Sequence, residues 1–134
     1  MRNSILILLA IIALFGCKKE STPTDYSKFV GKWTFRGIGG GFGQYLYDAE
    51  GDYIQLYENK RFVHYIKKDN KTFTGSYDIY EKKNCHEETT APCFKSTEPE
   101  RGEYFISLNE KGELVLFPAD CVIDSGATYF KKSE

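Results

Sequence analysis

The sequence predicts an all-β domain of about eight short antiparallel strands. Ten Tyr, ten Phe and many Thr, Val and Ile against a single Met make a composition suited to pleated, half-buried surfaces. From Asp25 onward, short apolar runs alternate with turn residues at the spacing of an antiparallel sheet. Helical periodicity is nearly absent. Only Asp25-Tyr26-Ser27-Lys28-Phe29-Val30 reads as one helical turn, with Asp25 as its cap.

The strands follow in order. Lys32 to Ile38 places Trp33 and Phe35 on one face, and Asp52 to Tyr57 does the same with Ile54 and Leu56. Glu58-Asn59-Lys60 turns the chain into Arg61 to Lys67. Lys68-Asp69-Asn70-Lys71 turns it again into the long strand Thr72 to Glu81, which aligns Phe73, Gly75, Tyr77 and Ile79. Lys82 to Arg101 is less regular and holds one short strand near Phe94. Gly102 to Leu108, Glu113 to Phe117 and Gly126 to Lys132 complete the set, with Asn109-Glu110-Lys111-Gly112 as a hairpin turn. No internal repeat is visible. Such strands fit either a sandwich or a closed up-and-down barrel, and closure removes the edges that invite aggregation. Phe105-Ile106-Ser107-Leu108 and Leu114-Val115-Leu116-Phe117 are apolar on both faces, so parity does not say which face lines the interior.

The chain divides into three parts. Residues 1–16 carry Arg2, then the unbroken apolar run Ile5 to Phe15 and small Gly16, which is the layout of a cleaved secretory signal. The run is shorter than the roughly 20 apolar residues a bilayer span needs. Leu14-Phe15-Gly16-Cys17 resembles the bacterial lipoprotein signal. That resemblance implies a diacylglycerol on the Cys17 sulfur, cleavage before Cys17 and acylation of the new amino terminus. Several acyl chains on one residue hold a protein on a membrane essentially permanently. Lys18 stands where an aspartate would imply retention at the inner membrane, so the resemblance favours a lipid anchor in the outer membrane of a bacterial cell envelope. Residues 17–25 then form a polar tether that cannot bury enough apolar surface to order itself. Residues 26–134 are long enough for one domain with its own core. With 18 basic and 19 acidic residues the chain has no basic face for nucleic acid.

Gly31-Lys32-Trp33, a Gly-x-Trp opening the first strand after one helical turn, resembles the lipocalin family, and Phe29 to Lys132 is similar to small lipocalin-like lipoproteins of Bacteroidetes. The resemblance implies an eight-stranded antiparallel up-and-down barrel around a small hydrophobic ligand. It also implies that Trp33 closes the barrel beneath a basic residue of the last strand, here Lys131 or Lys132. The family's Thr-Asp-Tyr motif is not found. The connection Gly37-Ile38-Gly39-Gly40-Gly41-Phe42-Gly43 would then lie over the open mouth as a glycine-rich lid. It lacks the register and the following helix of a phosphate loop. The expected ligand-binding residues are Phe35, Phe42, Tyr45, Ile54, Leu56, His64, Tyr77 and Tyr104.

Cys85, Cys93 and Cys121 remain after Cys17. An oxidising envelope favours a bridge. The expected disulfide joins Cys85 to Cys93, with Cys121 as the alternative partner of Cys93. Adding His86 gives a Cys/His set, but its spacing is not that of a structural zinc site, so neither metal nor cofactor is expected. Glu87, Glu88 and the scattered Asp residues have no partner placed for acid/base work, and no serine sits in a nucleophile motif. The sequence therefore reads as a binding protein rather than an enzyme, with a filled barrel acting as a structural or protein-binding module as the alternative.

Overall fold

The computed structural model describes residues 25–40, 43–46 (backbone only), 51–85, 87–99, 101–120, 122 and 125–134. The expected signal, Cys17 and the expected tether up to residue 24 lie outside the described residues, as does Phe42. No helix among the described residues is long and apolar enough to cross a membrane.

Among the described residues a 3-10 turn, Ser27–Phe29, precedes nine antiparallel strands. They are β1 Gly31–Gly40, β2 Gly43–Leu46, β3 Tyr53–Leu56, β4 Arg61–Ile66, β5 Lys71–Lys83, β6 Thr90–Ser96, β7 Glu103–Leu108, β8 Leu114–Pro118 and β9 Ala127–Lys132. Tyr26, not Asp25, stands at the N-cap position and makes no side-chain cap; Asp25 instead accepts a hydrogen bond from the Ser27 amide at 2.9 Å, an Asx turn that leads into the 3-10 turn. From β3 to β9 each strand pairs with the next, and β9 returns to pair with β1, closing the sheet. On the other edge of β1, β2 and β3 occupy successive stretches, Leu46 opposite Gly37 and Tyr53 opposite Thr34. They act as one interrupted stave, and the architecture is an eight-stranded closed antiparallel barrel consistent with lipocalin-like topology.

The glycine-rich stretch is strand for most of its length. β1 runs on to Gly40 because its backbone is paired on both sides, Ile38 with Thr128 and with Tyr45. A register shift between Phe35 and Gly37 lets the strand bend, and Gly37 takes φ 154° there, a value that L side chains rarely adopt.

The ladder decides the faces that parity left open. Ile54, His64 and Phe73 are successive cross-strand neighbours, as are Ile106 with Leu116 and Phe94 with Tyr104. Ile54 is 0% exposed and Ile106 1%, so these rows point inward, and Phe105 points out.

The expected disulfide is overturned. Cys93 is a free, fully buried thiol, so it is bonded neither to Cys85 nor to Cys121. It lies within β6 opposite Tyr80, whereas Cys85 lies beyond the last β5–β6 pair, Lys83 with Thr90. The three ladder steps from Tyr80 to Lys83, at about 3.4 Å each, already span about 10 Å before the chain reaches Cys85. A disulfide needs Cα atoms within about 7 Å.

Candidate functional site

The two ends of the barrel differ. At one end lie the 3-10 turn, the C-terminus and the turns after β3, β5 and β7; at the other lie the connections after β1, β4, β6 and β8.

The first end is sealed by side chains. Trp33 is 1% exposed, and its indole Nε1–H donates to the Phe29 carbonyl at 2.8 Å. Lys132 Nζ stands 5.5 Å from the Trp33 ring, a cation–π distance. Phe29, Ile54, Leu56, Phe62, Phe94, Ile106, Leu114 and Leu116 fill the space above, none more than 2% exposed. Tyr77 joins this core and its hydroxyl donates to the Tyr57 carbonyl at 2.8 Å. Three of the expected ligand contacts, Ile54, Leu56 and Tyr77, are therefore packing residues of the closed half.

The second end is built differently. Phe35, Phe73 and Tyr104 pack against the core but are only half-buried. Past the register shift in β1, Ile38 pairs with Thr128, the cross-strand neighbour of inward Leu116, and it stays 47% exposed at this end. Above these rings the connection from β6 to β7 folds inward as a strap. The Thr97 amide donates to the Ser76 carbonyl at 3.0 Å, and the Ser76 amide donates to Thr97 Oγ1 at 3.0 Å. That crossing passes over Gly75, where an added Cβ would press on Thr97 and stand 2.9 Å from the Phe62 ring. Only a glycine lets the strap lie so close to β5.

The strap carries Glu98 to His64, two strands away. His64 Nδ1 is 2.9 Å from Glu98 Oε1 and 3.2 Å from Oε2. An ionised carboxylate only accepts, so Nδ1 bears the proton. Arg101 Nη1 lies 3.4 Å from Glu98 Oε2, and the Arg101 amide donates to the Glu98 carbonyl at 3.3 Å. The side chains of Glu98, His64 and Arg101 are 7%, 13% and 16% exposed. Burial pushes the Glu98 carboxyl up, but the hydrogen bond from His64 and the charges of Arg101, His64 and Lys71 outweigh it and hold the group below its ordinary 4.5. Aromatic rings flank the charges. His64 stacks on Phe73 at 6.0 Å, Lys71 Nζ stands 4.5 Å from the same ring, and the Arg101 guanidinium lies 5.7 Å from Tyr104. Of the other expected contacts, Tyr45 belongs to β2, its side chain outside the described residues, as Phe42 is altogether.

Sequence reasoning singled out His64 but missed Glu98 and Arg101. Their signal was faint: a carboxylate and a guanidinium three residues apart, in a segment whose Pro99 and Gly102 mark turns.

A second polar cluster lies on the outer wall. Glu103 bonds Lys82 closely and stands 3.3 Å from Lys95. The hydrogen bonds from Lys82 and Tyr80 pull Glu103 down to about 2. Beside it the Tyr80 hydroxyl is pushed up by Glu103, and burial pushes the Cys93 thiol up. A thiol so shifted is a poor nucleophile at neutral pH. Among the described residues no group of three His, Cys, Asp or Glu is placed to hold a metal ion. Comparison with protein-family models, curated proteins and solved structures gave no match to this chain.

Proposed function

We propose that the protein is a membrane-tethered, lipocalin-like carrier that takes a small hydrophobic molecule into the mouth half of its barrel and performs no chemistry on it. One observation carries this reading: the rings of Phe35, Phe73 and Tyr104 remain half-buried above a fully packed floor. Covering such surface with an apolar ligand yields roughly 25 cal/mol per Å². The tether is Cys17 with its polar linker, set in a bacterial envelope, and the resemblance at Leu14 to Cys17 supports its acylation. Acylation adds the mass of the acyl chains to a chain beginning at Cys17. Mass spectrometry that finds Cys17→Ala unchanged in mass and in membrane partition removes the tether from the proposal.

The alternative is a filled barrel that acts through its outer wall. The dense lower core favours it, as does an outer groove of about 440 Å³ bordered by Asn84, Ala91, Pro92, Phe105 and Phe117. Uptake of a neutral apolar fluorophore separates the two. A carrier shows saturable uptake, and solvent extraction of the purified protein releases a bound molecule. A filled barrel does neither.

A further inference from the structure

We infer that the ligand is an amphipathic carboxylate, and that its headgroup takes the place Glu98 holds between His64 and Arg101. The inference rests on the carrier reading above and adds the chemistry of the headgroup. Among the described residues Glu98 is the one acid paired with His64 and Arg101, and Lys71 adds a further positive charge close by. Ionised Glu98 offsets the charge of largely buried Arg101, and exposed Lys71 adds a positive charge at the rim that draws anions toward the site.

Arg101 is also under-used. Its Nη1 is buried with no hydrogen-bond partner, the 3.4 Å to Glu98 being an ion pair of poor hydrogen-bond geometry. A guanidinium presents donors in a fixed fork that matches a carboxylate bidentately, and Glu98 leaves that fork partly empty. The strap is built to exchange its carboxylate. Its ladder-like bonds end at Thr97, beyond which the contact of Glu98 with His64 of β4 ties it to the barrel, while the Glu98–Arg101 pair lies within the strap itself. It can therefore lift without breaking a strand pair. Phe73 beneath His64 and Tyr104 beside Arg101 place apolar surface next to the charges, so a headgroup held there leads its chain onto rings.

The test titrates the full chain at neutral pH with cis-parinaric acid and with its methyl ester, following probe fluorescence. The acid is expected to bind about tenfold more tightly than the ester, the scale of one charge-assisted hydrogen bond. Arg101→Gln should weaken the acid about tenfold and leave the ester unchanged, with Arg101→Lys intermediate because it keeps the charge and loses the fork. Glu98→Gln should tighten the acid several-fold by removing its internal competitor. The opposite signs are decisive, because a latch of purely structural value would move acid and ester together in both variants. Equal binding of acid and ester, or weaker acid binding by Glu98→Gln, overturns the headgroup assignment while the carrier reading stands. If a chain shown folded by near-ultraviolet circular dichroism binds neither probe in any form, both readings fall.

Discussion

The closed and open halves of this barrel solve opposite problems with the same strands. At the closed end β1 contributes Trp33, which is wedged between the Phe29 carbonyl and Lys132; further along the same strand, past the register shift, it contributes Ile38, on the inward row yet 47% exposed. β4 contributes Phe62 to the packed floor and His64 to the polar mouth, two residues apart on one face. The floor is held by burial, which is non-directional and large in sum. The mouth is held by a strap whose inner contacts are one carboxylate, one imidazole and one guanidinium. Such a cluster is weak evidence for stability, because desolvating charges offsets much of their attraction. The closed half is where this chain is made stable, and the open half is where it can change state.

If that division is right, truncations of similar size should differ sharply between the halves. Trp33→Ala removes a side chain 1% exposed and orphans the Phe29 carbonyl. It should destabilise by about 3–5 kcal/mol in denaturant unfolding. Phe73→Ala removes a half-buried ring and should cost about 1–2 kcal/mol, since much of that surface is already in water. Equal losses would break the comparison. Gly75→Ala comes next in size. Its methyl group would press on Thr97 and the Phe62 ring, so either the strap lifts or the floor shifts, at about 1–3 kcal/mol. A lifted strap sharpens the comparison. Faster amide exchange at Thr97, with Trp33 fluorescence unchanged, identifies that outcome.

The two halves were also unequally legible in the sequence. The meander from β3 to β5 could be read because its alternation is clean, with Phe73, Gly75, Tyr77 and Ile79 on one face, and Trp33 stood out by its place after the first turn. Where both faces are apolar the sequence was silent. Only the ladder sends Ile106 inward and Phe105 outward beside Cys93. The disulfide expectation failed because proximity along the chain was read as proximity in space, whereas β6 carries Cys93 away from the hairpin that holds Cys85. The mouth was hardest. Glu98 and His64 are 34 residues apart and meet only because an irregular segment folds back over a glycine, which no local pattern encodes.

The smallest expected effects lie in the acid range, where the mouth can be compared with the outer wall. Glu98 and Glu103 both have carboxyls held below 4.5, so each contributes stability that is complete above that value and is lost as pH falls through the lowered one. For Glu103 the window runs from 4.5 down to about 2. Its partly exposed position on the outer wall and the solvent-screened lysines limit the contribution to about 1 kcal/mol or less. Glu98 is enclosed, and its protonation should release the strap as well as lower stability. Melting temperatures measured against pH for Glu98→Gln and Glu103→Gln should both flatten below pH 4.5 relative to the parent. Only Glu98→Gln should also abolish the acid-induced rise in amide exchange at Thr97. If Glu103→Gln abolishes it equally, the strap answers to the net charge of the barrel rather than to the carboxylate in its mouth.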